Sequence, residues 1–128
     1  MKRLPFKPEF EPDILAGLKT FTCRWNDQHL IVGDIAAAVT PKPGKPGFLT
    51  PAKDAFCHLR ITDTRRTLWV RGDPYPFLCS IARASGFKNV AEARDWYEAR
   101  RPVGASWIYG YGFEVVNGLW DGQECEGG

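Results

Sequence analysis

The stretch Gly17-Leu18-Lys19-Thr20-Phe21-Thr22-Cys23-Arg24 joins the end of a short helix to the start of a strand and gathers a lysine, a threonine and an arginine at one junction. Just upstream, Pro12 suits a helix's first turn, where its missing N–H costs nothing. Ile14, Leu15 and Leu18 supply an apolar side, and Gly17 is placed to cap the helix C-terminus. From Thr20 to Trp25 the residues suit a strand. Its period of two sends Phe21, Cys23 and Trp25 to one face and Thr20, Thr22 and Arg24 to the other. With Lys19 entering from the strand's start, the polar face offers a hydroxyl, a planar guanidinium fork and an ammonium. That set suits a phosphate or a nucleobase edge better than a neutral lipid or sugar.

Outward from this junction the elements alternate. Residues 40–51 (TPKPGKPGFLTP) read as a long loop that proline and glycine keep out of a ladder. Ala55 to Thr62 alternates, with Cys57, Leu59 and Ile61 on one face. A turn near Asp63 to Arg66 is then expected to lead into a second strand from Thr67 to Arg71, so that Arg60, Arg65, Arg66 and Arg71 flank a hairpin. Asp73 can cap a helix in which Phe77, Leu78, Ile81 and Ala84 recur at helical spacing before Gly86 stops it. Arg83 on that helix faces solvent or a cleft. Asn89 and Glu92 form a capping-box pair for a further helix that ends before Pro102, and Arg100 and Arg101 suit its negative end. The closing strand, residues 106–116 (SWIYGYGFEVV), puts Trp107, Tyr109, Tyr111 and Phe113 on one face. Such a row is either a stacking platform for unpaired bases or a barrel core, and core is the expectation for most of these rings.

Composition limits the classes of function. A chain of 128 residues with a hydrophobic share of 44% can build one core, and nothing divides it into two domains. A formal charge of +2 is too small to announce a nucleic-acid protein, so electrostatics must rest on local clusters such as Lys2, Arg3 and Lys7. Cys23, Cys57, Cys79 and Cys125 have no C-x-x-C spacing, and Cys57-His58 point to opposite faces of a strand, so no metal and no cofactor is expected. No apolar run approaches the roughly 20 residues of a membrane span or the core of a signal peptide, and a cytoplasmic protein is the expectation.

The segment LPFKPEFEPDILAGLKTFTCRW (residues 4–25), with Val32-Gly33-Asp34 and Ala84-Ser85-Gly86-Phe87 further on, resembles the ASCH domain family. Gly17, Lys19, Thr22 and Arg24 match in order the family's G-x-K-x-x-T-x-R motif. The resemblance implies an α+β fold: a small mixed β-barrel of the PUA-like type, the RNA-binding fold of pseudouridine synthases and archaeosine transglycosylases, with about three flanking helices. It assigns residues 1–118 to that domain and leaves 119–128 as an acidic, glycine-rich and flexible tail.

Two functions follow from the resemblance. In the first, a cleft beside the junction binds RNA or a nucleotide through Lys19, Thr22 and Arg24, with Lys7 and Arg83 as further ligand-binding residues. In the second, the chain is a small hydrolase, either an amidohydrolase of modified cytidine or a ribonuclease. The amidohydrolase reading implies Lys19 as the base that activates Thr22, with a glutamate completing the trio. The matching stretch, Ala82-Arg83-Ala84-Ser85-Gly86, carries no acid, so binding is the first expectation.

Overall fold

The computed structural model describes residues 1–45, 47–69 and 75–116, with the side chains of 75 and 76 left out. The Asp73 cap and the tail at 119–128 lie outside the described residues. Five strands, β1 (Lys2–Pro5), β2 (Phe21–Arg24), β3 (Ile35–Val39), β4 (Cys57–Leu68) and β5 (Trp107–Val116), form one mixed sheet in the order β1-β3-β4-β5-β2. β1 runs parallel to β3 and the other pairings are antiparallel. The sheet curls into a half-barrel whose two edges are β1 and β2. Among the described residues three α-helices accompany it: α1 (Glu11–Leu15), α2 (Tyr75–Ile81) and α3 (Val90–Ala99).

Two apolar clusters hold these layers together. Inside the curl, Leu4, Phe6, Ile14, Leu59, Ile61, Tyr111 and Phe113 are buried against one another. On the sheet's other side Phe21, Cys23 and Ile108 meet Leu78 and Ile81 of α2 and Ala93 and Tyr97 of α3. The alternation of β2 thus sends Phe21 and Cys23 towards the helices and leaves Thr22 and Arg24 for the barrel side. Gly110 on β5 permits this packing, because a Cβ there would lie 2.7 Å from the Phe21 ring.

Several local expectations hold in detail. Gly17 adopts φ +76° at the end of α1, and its N–H donates to the Ile14 carbonyl at 3.1 Å. The Asn89 side chain accepts from the Glu92 N–H at 2.8 Å and caps α3. Tyr111 and Phe113 enter the barrel core, as expected for that row of rings.

The hairpin expected near Asp63 to Arg66 is not formed. β4 instead runs unbroken through these residues, pairing with β5 as far as Leu68 opposite Trp107. A register shift between Ile61 and Asp63 absorbs the irregularity, and Asp63 and Arg65, two apart on one face, neutralise each other at 2.7 Å. The polar run was a turn signal by composition, but a long partner strand satisfies its backbone. The apolar side of α1 is also narrower than expected: Ile14 is fully buried, while Leu15 and Leu18 are exposed.

Candidate functional site

The half-barrel leaves a seam where the ends of β1 and β2 face each other. Arg24, the last residue of β2, crosses it: its guanidinium donates to the carbonyl of Pro5, the last residue of β1, and also to Thr22 Oγ1 and to the Cys23 carbonyl at 2.8 Å. The same guanidinium lies 5.1 Å from the Phe6 ring centroid. Burial draws it below the ordinary arginine range, a cost that the three acceptors offset.

Lys19 approaches from the other side of the junction. Only 3% exposed, it donates to the carbonyls of Phe21 at 3.0 Å and Ser85 at 2.6 Å, and its ammonium sits 4.8 Å from the Phe10 ring centroid. Burial, with the Arg24 charge adding to it, lowers its pKa from 10.5 to about 7. Gly86, with φ +93°, turns the chain beside the Lys19 stem, and the Ala84 carbonyl accepts the N–H groups of Thr20 and Phe21 at 2.8 and 3.1 Å. The turn after α2 is thereby fixed to the start of β2.

Above these residues lies a cavity of about 210 Å³. Its floor is Lys19, Thr22, Cys23 and Arg24; Pro5, Phe6, Lys7 and Phe10 form one wall, and Phe87, Trp96, Tyr97 and Arg100 the other, with Trp25 beside them. Trp96 holds two cations: Lys7 Nζ is 5.1 Å and the Arg100 guanidinium 3.3 Å from its ring centroid. Among the described residues neither Lys7 nor Arg100 forms a salt bridge, and the lining contains no carboxylate. Cys23 offers no nucleophile, since burial pushes its thiol up to about 12, and burial likewise raises the Tyr97 phenol.

Of the residues expected at a site, Lys7, Lys19, Thr22 and Arg24 come together around this cavity, whereas Arg83 is exposed on the turn after α2 and is not among its lining. Phe10, Phe87, Trp96 and Arg100 are among the lining residues that the sequence reading did not single out for ligand contact. A signal existed for one pair, because Trp96 on α3 and Arg100 at its C-cap are four residues apart, a spacing that makes them neighbours.

No family model and no curated protein matches the chain. Solved structures do. The ASCH protein of Zymomonas mobilis superposes with a TM-score of 0.58 over 88% of this chain and 68% of its own, at 14% identity. The chain has the ASCH-type fold. A hypothetical protein, PH0355, is similar at TM-score 0.60 and 16% identity over 91% of this chain and all of its own length. A protein from Enterococcus faecalis is similar at TM-score 0.53 and 14% identity, over 91% and 80% of the two chains. The small α+β, PUA-like barrel inferred from the G-x-K-x-x-T-x-R resemblance is therefore the observed architecture, at identities where only the fold carries over. No helix among the described residues is long and apolar enough to cross a membrane.

Proposed function

We propose that this ASCH-type domain binds a nucleotide, or a nucleotide unit of single-stranded RNA, in the seam cleft. One observation carries the reading: Lys7 and Arg100 flank Trp96 at the cleft wall, over a floor holding Lys19 and Arg24, with no carboxylate in the described lining. Four cations and six aromatic rings around one small cavity fit a ligand that is both anionic and planar. Lys7 and Arg100 meet its phosphate, and a ring of the wall stacks on its base.

The division of labour follows from burial. Arg24 and Lys19 spend their donors on backbone carbonyls and shape the floor, whereas Lys7 and Arg100 are exposed, and Arg100 commits one nitrogen to the Trp96 carbonyl at 3.1 Å while its other N–H groups remain for a ligand. Lys7→Ala and Arg100→Ala should each weaken binding of a nucleoside monophosphate and flatten the salt dependence of RNA binding by about one counterion. Titration of a fluorescent nucleotide at low and moderate salt reads both effects. Affinity that neither substitution changes would falsify the assignment.

The hydrolase alternative draws on one observation, the pKa of Lys19 near 7, which suits a general base at neutral pH. Its geometry is less favourable. Lys19 Nζ is aimed at two carbonyls, Thr22 Oγ1 accepts from Arg24, and no carboxylate orients the lysine within the described lining. Incubation with acetylcytidine tests this reading, since turnover lost in Thr22→Ala would favour it over simple binding.

A further inference from the structure

The aromatic row of β5 divides in two. Tyr111 and Phe113 are buried in the barrel, but β4 and β5 run on past it, and the end of this ribbon keeps one face uncovered: Trp107 is 41% and Leu68 45% exposed. Residues directly opposite each other in an antiparallel pair share a face, which places Arg66 beside Tyr109 and Leu68 beside Trp107. The Arg66 guanidinium lies 5.0 Å from the Trp107 ring centroid and forms no salt bridge among the described residues. Next to it is a cavity of about 300 Å³ bounded by Arg66, Tyr109, Tyr111, Thr64 and the loop residues Asp27 and Leu30. Asp27 is the acid of this cavity, and its Oδ1 is engaged by the His29 N–H at 2.8 Å and the Tyr111 hydroxyl at 3.2 Å.

The sheet register connects this face to the seam cleft. Tyr109 pairs with Arg24 on one side and with Arg66 on the other, so the three lie in one row on one face of the sheet. Two interstrand spacings separate the arginine backbones, about 10 Å. A mononucleotide in the cleft does not cover that distance, but the next nucleotides of a strand do.

We propose that the ribbon end is a second subsite for single-stranded RNA, in which a base stacks on Trp107 or Tyr109 and Arg66 holds its phosphate. The proposal rests on the nucleotide reading of the cleft and deepens it, because it makes the natural ligand an oligonucleotide that crosses β2, β5 and β4. An exposed indole with a cation on its face, whose charge is felt by the Asp27 carboxylate across the cavity but which forms no salt bridge among the described residues, fits the stacking-plus-phosphate pattern of single-strand binders.

The test compares a nucleoside monophosphate with a hexaribonucleotide on the native chain, Arg66→Gln, Trp107→Ala and the cleft variant Arg100→Ala, with thermal melts to establish folding. Arg66→Gln and Trp107→Ala should each weaken the hexanucleotide about tenfold and leave the monophosphate unchanged. Arg100→Ala should weaken both. If Arg100→Ala weakens both ligands while the two ribbon variants bind the hexanucleotide like the native chain, the second subsite is wrong and the cleft reading stands. If the ribbon variants weaken the hexanucleotide but Arg100→Ala changes neither ligand, the ribbon binds RNA and the cleft reading fails. A native chain that binds no hexanucleotide overturns the subsite.

Discussion

The seam cleft and the ribbon end are built from the same residue types, an arginine beside aromatic rings on one face of one sheet, yet they put them to different uses. Arg24 sits over Phe6 with three protein oxygens around it and joins the two edge strands. Arg66 sits over Trp107 at a surface and forms no salt bridge among the described residues. The difference is burial: a guanidinium taken out of water must find acceptors in the protein, and those acceptors make it part of the fold. One left at the surface keeps its donors for a ligand. A motif arginine is therefore not automatically a ligand contact.

The sharpest way to break this comparison is Arg24→Ala. The substitution opens the seam and leaves the Pro5 carbonyl without its partner, so a loss of about 2 kcal/mol or more of folding stability is expected. Urea denaturation of the two chains measures it. In the sequence, a polar strand face bordering a cleft carries no sign of which backbone carbonyls it will meet. An Arg24→Ala chain as stable as the native one would return Arg24 to the role of a plain ligand contact.

Gly110 lies between the two regions, paired with Cys23 on β2 and Arg65 on β4. A methyl group there meets the Phe21 ring at 2.7 Å and Phe77 at 3.3 Å, so Gly110→Ala should cost about 1–3 kcal/mol through overpacking. Because Phe21 begins β2, the strain falls on the strand that carries Thr22 and Arg24. A melting temperature that drops while the ribbon's hexanucleotide contacts survive would show the cleft depending on this packing more than the ribbon does.

Burial also separates the regions by their pH response. Lys19 holds its proton below about pH 7 in the folded chain but up to 10.5 when unfolded. Between these values the unfolded state binds more protons, so stability rises with pH. Above pH 9 Cys23 opposes the trend, because its folded value is raised from 9.0 to about 12 and the folded chain then holds the extra proton. Chemical denaturation from pH 6 to pH 9 should show a rise that Lys19→Met abolishes. Nucleotide affinity should move the other way. An anion favours the ammonium, so affinity is full below the free value near 7 and declines as pH rises through it.

Legibility in the sequence followed the range of the interactions. Gly17 in the left-handed region, the Asn89 cap and the alternation along β2 are decided within a few residues, and all were readable. The parallel pairing of β1 with β3 and the closure of α3 over the cleft depend on contacts across most of the chain, and no local period announces them. Arg100 shows the consequence. Its place at the end of α3 suits the helix dipole, which accounts for it locally, and although the spacing of four sets it beside Trp96, only the packed structure brings Lys7 to the same ring. The ribbon was hidden for the opposite reason. Asp63 to Arg66 look like a turn, and a turn would have ended β4 before Arg66 could reach Trp107.

The smallest expected change in stability belongs to Arg66→Gln. The side chain is at the surface, carries no salt bridge among the described residues and leaves the β4–β5 ladder untouched, so folding stability should stay within about 0.5 kcal/mol of the native value. This near-zero effect is what gives the variant its force. In Arg24→Ala a loss of binding and a loss of structure arrive together, and neither explains the other. In Arg66→Gln a drop in hexanucleotide affinity has no folding defect behind it, so it reports the guanidinium's contact with the ligand alone. Should the variant instead unfold as readily as Arg24→Ala, the Arg66–Trp107 contact would be structural, and the contrast between a buried arginine that closes the barrel and a surface one that waits for a phosphate would collapse.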